Sequence, residues 1–269
     1  MSHHESSLKA QFYLTAPQPC AYLDGREERK VFTTLTGSSA VTVNNTLSQK
    51  GFRRSQGVIY RPACIGCSAC LSIRIPVESF SPDRTQRRII RANADLVRET
   101  CEPWATETQF TLFRRYLAAR HADGGMADMD AFDYASMVDE TPVDSMVVEY
   151  SEPEHDGEQG GGGLIAACLT DILDDGLSMV YSFFEPMLAQ RSLGAAMILD
   201  HVEMAREMRL QHVYLGYWVA GSRKMDYKTR YRPFELCDGE SWYRFKSRAE
   251  VDSWRQERAV ARLQERLLG

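Results

Sequence analysis

The residues with the clearest capacity for chemistry are cysteines near the start of the chain. Cys64, Cys67 and Cys70 follow one another at every third position, which puts three thiolates within reach of one metal ion or one iron–sulfur cluster. Cys20 is the candidate fourth ligand. The alternative interpretation is that the four are buried or redox-active free thiols. The spacing therefore leaves zinc, an iron–sulfur cluster and no metal open.

A glycine motif lies between a predicted strand and a predicted helix. Its residues are Arg191, Ser192, Leu193, Gly194, Ala195 and Ala196. Glycine lets a ligand approach the backbone, and the unpaired N–H groups of a first helical turn bind anions such as pyrophosphate. The pattern resembles the Arg/Gln-x-x-Gly-x-Gly/Ala signature of GCN5-related acyltransferases. We expect residues 191–194 to bind a phosphate-bearing donor, and the alternative is an ordinary helix start in which glycine serves packing.

Lysine and tyrosine side chains follow the end of another predicted strand. The strand ends near Tyr217 and Trp218, and the following turn carries Lys224, Tyr227 and Lys228. Lysine binds phosphate and tyrosine stacks on bases, so this turn is a second candidate contact for a nucleic acid. The alternative is a solvated basic turn.

Composition limits the classes of protein to which the chain can belong. It has 269 residues, of which 43% are hydrophobic and 26% charged, as in an ordinary globular protein. No apolar run approaches the roughly eighteen residues of a membrane span, and the first residues lack the apolar core of a signal peptide. These features predict a cytoplasmic protein without a membrane partner. Seven cysteines, an odd number, argue against a disulfide framework, and Cys101, Cys168 and Cys237 are expected in the core.

Charge is unevenly distributed along the chain. The formal net charge is −5, which argues against a protein that coats nucleic acid. Between Arg53 and Arg120, however, twelve arginines face six acidic residues. The arginines are Arg53, Arg54, Arg61, Arg74, Arg84, Arg87, Arg88, Arg91, Arg98, Arg114, Arg115 and Arg120. This segregation suits a partner that bears phosphates or carboxylates, and the alternative is a solvated arginine-rich surface.

The elements that must position these residues are clearest in the second half of the chain. Residues 143–150 and 164–169 predict antiparallel strands joined by an acidic, glycine-rich loop, Ser151 to Gly163. A strand over 177–185, an amphipathic helix and a strand over 212–220 follow. The pattern predicts a mixed α/β (α+β) sheet with packed helices.

Two further features complete the predicted organisation. The last residues predict an amphipathic helix carrying Trp254, Leu263 and Leu267. A polar segment, His121 to Asp130, suggests a boundary between two domains. We expect residues 1–125 to form a smaller domain with the cysteines and the arginine-rich surface, and residues 126–269 to form an acyltransferase-like domain.

Several longer motifs resemble the arginyl-tRNA–protein transferase family, and in particular its bacterial aspartate/glutamate leucyltransferase branch. They are PCAYL, GFRRSQ, YRPAC, GLSMVYSFFEP, RSLGAAMI and YLGYW…KMDYK, and they span roughly Gln11 to Phe245. The resemblance implies a GCN5-related N-acetyltransferase-like fold and an aminoacyl-tRNA donor, with leucyl-tRNA favoured. It also implies acceptor proteins with N-terminal Asp or Glu, marked for degradation by the N-degron route. Eukaryotic members carry Cys-x-x-Cys where this chain has Cys20 and Leu23, which keeps the metal undecided.

Such a reaction is the aminolysis of an ester, which needs orientation, a neutral amine and a stabilised oxyanion. No cofactor is required for that chemistry. The candidate side chains are Asp171, Glu185, Tyr181 and Tyr217. The two carboxylates are candidates for holding or deprotonating the amine, and the two tyrosines for relaying a proton to the ribose oxygen. The N–H groups of Ser182 and Phe183 are candidates for the oxyanion.

The acceptor's carboxylate calls for arginine, which binds carboxylates bidentately and stays charged. Arg53, Arg54 and Arg61 are the candidates, because they lie just before the cysteine run. Three alternatives stay open at this point. In the first, the donor amino acid is arginine instead of leucine. In the second, the enzyme is a coenzyme A-dependent N-acetyltransferase. In the third, the chain is a cysteine-cluster module that binds RNA or senses redox state.

Overall fold

The structure, a computed structural model, describes residues 10–120, 125–153 and 162–268, and for 262, 263 and 265–268 the backbone alone. The helices are α1 (Ala40–Gln49), α2 (Arg84–Ala92), α3 (Glu107–Arg120), α4 (Ala131–Asp139), α5 (Leu193–Glu207) and α6 (Arg248–Leu268). The short 3-10 helices are Gly37–Ser39, Pro186–Arg191 and Arg223–Arg230. No helix among the described residues is both long enough and apolar enough to cross a membrane.

The strands form a large sheet, a small sheet and a two-stranded ribbon. They are β1 (Tyr13–Leu14), β2 (Gln18–Pro19), β3 (Glu27–Glu28), β4 (Lys30–Thr34), β5 (Arg53–Ser55), β6 (Val58–Pro62), β7 (Cys70–Pro76), β8 (Val97–Cys101), β9 (Ser145–Ser151), β10 (Leu164–Leu173), β11 (Gly176–Phe184), β12 (His212–Val219), β13 (Phe234–Cys237) and β14 (Trp242–Phe245). The ribbon is β2 and β3.

The large sheet has eight strands in the order β14-β13-β7-β12-β11-β10-β9-β8. Every neighbouring pair is antiparallel except β11 and β12, which are parallel and are connected through α5. A parallel pair needs such a crossover because the chain must return to the same end of the sheet. The predicted order of strand, strand, strand, helix, strand is confirmed as β9, β10, β11, α5 and β12, and the mixed α/β class is confirmed with it.

The two faces of the large sheet pack against different helices. Side chains alternate along a strand, so Ala166 and Cys168 of β10 belong to one core layer, and Ala167 and Leu169 to the other. The helical residues of the first layer include Met197, Ile198, Val202 and Ala205 of α5, and those of the second include Leu112, Phe113 and Leu117 of α3 and Tyr134 and Val138 of α4. The amphipathic pattern predicted for α5 therefore covers the sheet as expected.

The small sheet, of order β1-β4-β6-β5, forms a separate N-terminal region, as the sequence predicts, although the cysteines lie beside its strands and Cys70 belongs to β7 of the large sheet. It has a core of its own, made by Leu35, Val43, Leu47, Phe52 and Ile59 among others. All of its neighbouring strands are antiparallel. The region therefore forms a separate layer of structure beside the large sheet.

The large sheet includes strands from both sides of the domain boundary predicted at residue 125. β7 lies between β12 and β13, and β8 forms one edge of the sheet, although both strands precede that residue. Ile73 and Ile75 of β7 are fully buried in the core of the large sheet. The small N-terminal region thus ends before β7, because these apolar side chains need the C-terminal half to cover them.

The loop predicted between two antiparallel strands lies mostly outside the described residues, since 154–161 are among those not described. The strands on either side are β9 and β10, which pair antiparallel as predicted. Of the polar segment His121 to Asp130, residues 121–124 are likewise outside the described part.

The predicted C-terminal helix is confirmed as α6. Trp254 packs on Tyr243 and Phe245, with ring centroids 5.1 and 5.4 Å apart. The side chains of Leu263 and Leu267 lie outside the described part of the chain. The helix is therefore attached to the β14 edge of the large sheet through its first turns.

A buried ion pair connects the small sheet to the large one. Arg54 of β5 donates from Nε and Nη2 to the two carboxylate oxygens of Asp171 in β10, at 2.7 and 2.6 Å. Ser145 Oγ donates to the same carboxylate at 2.8 Å. The exposed fractions of the two charged side chains are 1% and 0%, so each charge depends on the other for neutralisation.

We expect Asp171→Asn to lower the free energy of unfolding by about 3–5 kcal/mol, because it leaves the Arg54 guanidinium buried without a counter-charge. Urea unfolding followed by circular dichroism measures the change. Asp252→Asn is the matched control, since Asp252 pairs with Arg248 on the surface of α6, where such pairs contribute about 0–1 kcal/mol. Equal losses in the two variants would contradict this role of the buried pair.

Candidate active site

The large sheet opens where β11 and β12 separate. The two strands pair only over residues 176–178 of β11 and 212–214 of β12. Beyond this point the register of β11 on β10 shifts by one residue, which leaves Val180 without a partner on β10. The register of β12 on β7 shifts as well, between Tyr214 and Tyr217. The space between the two bulged strands, bounded by Val180 and Tyr217, is called the gap below.

A guanidinium group from the small sheet enters the gap. Arg53 of β5 donates through Nη2 to the carbonyl oxygen of Val180 at 2.5 Å and through Nη1 to that of Leu215 at 3.5 Å. The neighbouring position is Gly216, whose φ is +77°. A Cβ at Gly216 would lie 1.5 Å from Arg53 Nη1, so the guanidinium needs glycine there.

A second basic side chain closes the same gap. Lys228 is buried, and its Nζ donates to the carbonyl oxygens of Leu215 and Tyr217, both at 2.8 Å. Burial, and then the nearby charge of Arg53, holds the pKa of Lys228 well below its ordinary value. The phosphate contact predicted for Lys228 is therefore not available, because its amine faces main-chain carbonyls inside the protein. Lys224, by contrast, is exposed, so the phosphate contact predicted for it stays a prediction.

Tyrosines lie around the mouth of the gap. Tyr181 follows the bulge of β11, and burial, then Tyr116, raises its pKa, so its phenol stays protonated at neutral pH. Burial also raises the pKa of Tyr227, which Arg53 lowers in part. The Tyr116 ring lies 5.0 Å from that of Phe184. Tyr181 and Tyr227 thus lie near the gap, and Tyr116 joins them.

The main chain of β11 presents one predicted oxyanion donor to the gap and not the other. Glu185 N–H donates to the carbonyl oxygen of Ile165 in β10. Hydrogen bonds alternate along an antiparallel pair, so Phe183 also directs its N–H towards β10. Ser182 points the opposite way, towards the gap. Only Ser182 keeps the predicted geometry.

The two predicted catalytic carboxylates are engaged elsewhere. Asp171 is buried and neutralises Arg54, so neither of these two side chains is free to bind substrate. The catalytic role predicted for Asp171 and the acceptor-binding role predicted for Arg54 are therefore replaced by a structural one. Glu185 begins the 3-10 helix after β11, accepting from Met187 N–H at 3.3 Å. It also forms an ion pair with Arg115 at 2.9 Å. Glu185 does lie at a strand end beside the gap, but its carboxylate is already paired with the guanidinium of Arg115.

Tyr217 points away from the gap. Its hydroxyl lies 2.9 Å from the carbonyl oxygens of both Gly51 and Tyr60, which belong to the N-terminal region. Burial raises its pKa well above the ordinary value. The proton relay predicted for Tyr217 is therefore replaced by a contact that attaches the N-terminal region to β12.

The glycine motif starts α5, as predicted, but its side chains serve packing and ion pairing. Arg191 forms an ion pair with Asp95 at 2.8 Å, and Leu193 is buried. Ser192 has left-handed backbone angles, with φ 54° and ψ 45°, and makes no capping hydrogen bond through its side chain. A Cβ at Gly194 would lie 3.1 Å from the Phe184 ring. These contacts favour the packing interpretation over phosphate binding by the side chains.

The four cysteines of the predicted metal site line one cavity of about 110 Å³. They are Cys20, Cys64, Cys67 and Cys70. Burial first, and then the nearby thiols of Cys64, Cys67 and Cys20, raise the pKa of Cys70 to about 12. Among the described residues, however, no three of these sulfurs lie within 4.8 Å of one another. The structure therefore gathers the predicted ligands without drawing them to the spacing of a single ion.

Arg61, the third arginine predicted to bind the acceptor, lies near the end of β6, an inner strand of the small sheet. Its Nη1 donates to the carbonyl oxygen of Gly239 at 3.1 Å, and its guanidinium lies 4.9 Å from the centre of the Phe52 ring. Sequence reasoning missed Gly216, on which the entry of Arg53 depends. An isolated glycine inside a strand pattern indicates a bulge or a close approach of another group, and that signal was present.

We expect Gly216→Ala to lower the free energy of unfolding by about 2 kcal/mol or more, since alanine is strained at positive φ and its Cβ meets Arg53. Urea unfolding measures the loss. Gly57→Ala is the control, because a Cβ at Gly57 has no neighbour within 4 Å. In an Arg53→Ala background the Gly216→Ala change should cost less, and an unchanged cost would contradict the proposed contact.

Comparison with known proteins gives the family. The family models described as arginine-tRNA-protein transferase, N terminus and C terminus, match residues 18–88 and 108–238. The aspartate/glutamate leucyltransferase of Cereibacter sphaeroides is 60% identical over 89% of this chain and 85% of its own length. That of Dinoroseobacter shibae is 57% identical over the same shares, and that of Jannaschia sp. is 54% identical over 93% and 86%.

Among solved structures, FemX is similar in fold, with a TM-score of 0.51 and 9% identity over 81% of this chain and 71% of FemX. FemX shows the likeness in fold alone. The family models and the leucyltransferase relatives confirm the resemblance seen in the motifs across most of the chain, and the protein is an aminoacyltransferase-type enzyme rather than a binding module. The chain belongs to the arginine-tRNA-protein transferase family.

Proposed function

We propose that this enzyme transfers leucine from leucyl-tRNA to the N-terminal Asp or Glu of acceptor proteins, which marks them for degradation by the N-degron route. Relatives at 54–60% identity carry the name aspartate/glutamate leucyltransferase, and this similarity supports the choice of donor and acceptor. Both substrates are cytoplasmic molecules. The structural observation that carries the proposal is the gap closed by Arg53 and Lys228.

The gap favours an aminoacyl ester over coenzyme A as the donor. The arm of coenzyme A is an extended chain with amide groups, which needs free main-chain partners along a strand edge. The carbonyl oxygens of Val180, Leu215 and Tyr217 already accept from Arg53 or Lys228. An extended arm would therefore find these acceptors engaged, whereas a compact aminoacyl group needs only the mouth of the gap.

Charge at the gap favours leucine over arginine. Arg53 places a guanidinium there, and Tyr116, Tyr181 and Phe184 add aromatic surface. An arginyl side chain would bring a like charge into a half-buried site, where repulsion is stronger than in water. A leucyl side chain is uncharged and gains from contact with aromatic rings.

The reaction forms a bond between the acceptor's α-nitrogen and the leucyl carbonyl carbon, and breaks the ester bond to the ribose oxygen. The proton lost by the amine passes to that oxygen, so the reaction balances without a cofactor. We assign oxyanion stabilisation to Ser182 N–H, which faces the gap. We assign delivery of the proton to the protonated phenol of Tyr181.

Of the three arginines predicted to bind the acceptor carboxylate, Arg53 fits the role best. A guanidinium has five N–H donors, and the carbonyls of Val180 and Leu215 engage two of them. The rest are available to a carboxylate at the mouth of the gap. Arg54 is neutralised by Asp171, and Arg61 stacks on Phe52 away from the gap.

With labelled leucyl-tRNA, we expect transfer to peptides beginning with Asp or Glu, and a kcat/KM lower by about tenfold or more for peptides beginning with Asn or Gln. The matched acid and amide peptides isolate the charge that Arg53 is proposed to read. Arginyl-tRNA should be a donor poorer by a similar factor, and acetyl-coenzyme A should give no product. Equal transfer to a Lys-initiated peptide, or from arginyl-tRNA, would refute the proposal.

We also propose that Cys20, Cys64, Cys67 and Cys70 form one centre for a soft metal, either zinc or an iron–sulfur cluster. Four thiols that line one cavity are a suitable donor set. A single zinc needs its sulfurs about 3.8 Å apart, given Zn–S bonds near 2.3 Å. The wider spacing in the structure means that zinc would draw the sulfurs together, whereas a cluster of several irons spans more space.

Elemental analysis of anaerobically purified protein should find about one zinc, or several irons with sulfide, per chain. Replacing any one of the four cysteines by serine should release the metal and lower the melting temperature. Cys101→Ser tests the alternative, because Cys101 lies on β8, outside the cavity, and its sulfur is within 4.8 Å of carboxylate oxygens of Glu99 and Glu149. Metal that is lost from this variant instead would contradict the proposed centre. Protein free of zinc and iron that keeps full stability would leave the four as plain thiols.

A further inference from the structure

One face of α2 consists of arginines. Arg84, Arg87, Arg88 and Arg91 occupy positions i, i+3, i+4 and i+7 of the helix, and all four are exposed. On the other side of the helix Gln86 is buried and Ile89 packs on the core of the large sheet. The four guanidinium groups therefore project on one side, over about 10 Å of helix. They are called the arginine face below.

The arginine face has no acidic partner within residues 10–120, 125–153 and 162–268, since none of its four members forms an ion pair there. Arg87 donates to the carbonyl oxygen of Pro82, at 2.5 Å. Nearby arginines behave differently, because Arg98, Arg191 and Arg206 all pair with carboxylates. Four like charges in two helical turns repel one another, and an external polyanion would relieve that repulsion.

The position of α2 connects the arginine face to the gap. Gln86 Nε2 donates to the carbonyl oxygen of Arg230, which ends the 3-10 helix that follows β12. Asn93, just after α2, donates to the carbonyl oxygen of Arg191, which ends the 3-10 helix that follows β11. α2 thus bridges the two chain segments that leave the strands of the gap. The arginine face is therefore carried by a helix that is bonded to the segments following both strands of the gap.

α2 is also fixed in place. Asp83 and Gln86 form a reciprocal capping box, in which each side chain accepts from the other's N–H at 2.8 Å. Because the start of the helix is capped and its C-terminal end is bonded to Arg191, the four arginines are presented in a set geometry. Arginine in such an array suits a row of phosphates, to which its planar group binds in a bidentate manner.

We propose that the arginine face binds the sugar-phosphate backbone of the donor tRNA next to its aminoacylated end, while the leucyl ester lies at the mouth of the gap. This inference rests on the proposed function and adds the place where the RNA docks. The net charge of −5 makes the protein as a whole a poor ligand for RNA, so binding depends on a local group of unneutralised cations. The arginine face provides that group on the helix that bridges the two segments following the gap strands.

The test uses two double variants, Arg84→Gln/Arg88→Gln and Arg87→Gln/Arg91→Gln, since glutamine keeps the helix propensity and removes the charge. Lys50→Gln/Lys246→Gln removes the same charge from exposed positions near β14 and serves as the control. Affinity for leucyl-tRNA is measured from about 50 to 300 mM salt. Each arginine pair should reduce the slope of log affinity against log salt by about 1.5, and the control pair should leave it unchanged.

Kinetics separate docking from chemistry. Both arginine pairs should raise KM for leucyl-tRNA by about tenfold with kcat retained, and should leave transfer from a short leucyl-CCA oligonucleotide unchanged, because that donor lacks the backbone the arginines bind. An unaltered salt slope, or an equal loss in the lysine control, would overturn the proposal. A raised KM for the acceptor peptide instead would assign the arginine face to the protein substrate and also overturn it. Failure of the unmodified enzyme to transfer leucine from either donor would refute the proposed function, while the binding slopes would still test the arginine face.

Discussion

The Arg53 guanidinium enters a space between two strands of a sheet to which it does not belong, and this one contact constrains much of its surroundings. Parallel strands that separate leave main-chain carbonyls without partners, and buried carbonyls need hydrogen bonds. Arg53 satisfies those of Val180 and Leu215, and Lys228 satisfies Leu215 again together with Tyr217. Gly216 is required because any side chain there would collide with the guanidinium. The sheet can therefore stay open without leaving its polar groups unsatisfied.

The position of Arg53 depends in turn on its neighbour. Adjacent residues of a strand point to opposite sides, so Arg53 can reach the gap only while Arg54 reaches Asp171. The pairing of β5 with β6 sets that alternation, with Arg53 opposite Tyr60 and Arg54 opposite Ile59. A slip of one residue would exchange the two arginines, burying one without its counter-charge and opening the gap. The small sheet thus determines the shape of the site in the large one.

The sequence is sufficient to predict the elements whose signals are local. β9, β10, β11, α5 and β12 follow from period, turn residues and apolar runs. The place of β7 is not predictable in this way, because strand pairing across the chain leaves no local pattern. The same limit applies to the site. Arg54 and Asp171 both have the residue types of functional groups, yet they are 117 positions apart and neutralise each other.

Lys228 illustrates the other limit, since a lysine in a polar turn suggests exposure and its burial depends on where the 3-10 helix after β12 packs. The cysteines are an intermediate case. Their types and spacing were enough to predict that Cys64, Cys67 and Cys70 lie together, and Cys20 joins them through contacts of the small N-terminal strands. The proximity of residues that are close in sequence is thus predictable, and burial that depends on the packing of distant segments is not.

The place of β7 between β12 and β13 has a consequence for how the chain is made. β7 leaves the ribosome long before β12 or β13, so its apolar side chains Ile73 and Ile75 have no neighbouring strands to pack with at that stage. Pairing over such long sequence separations makes folding slow and favours contacts formed late in synthesis. A nascent chain that stops before β12 retains an unpaired, apolar strand at its centre. Completion of this enzyme is therefore coupled to synthesis of nearly its whole length, and its unfinished chains expose the surface that chaperones and proteases recognise.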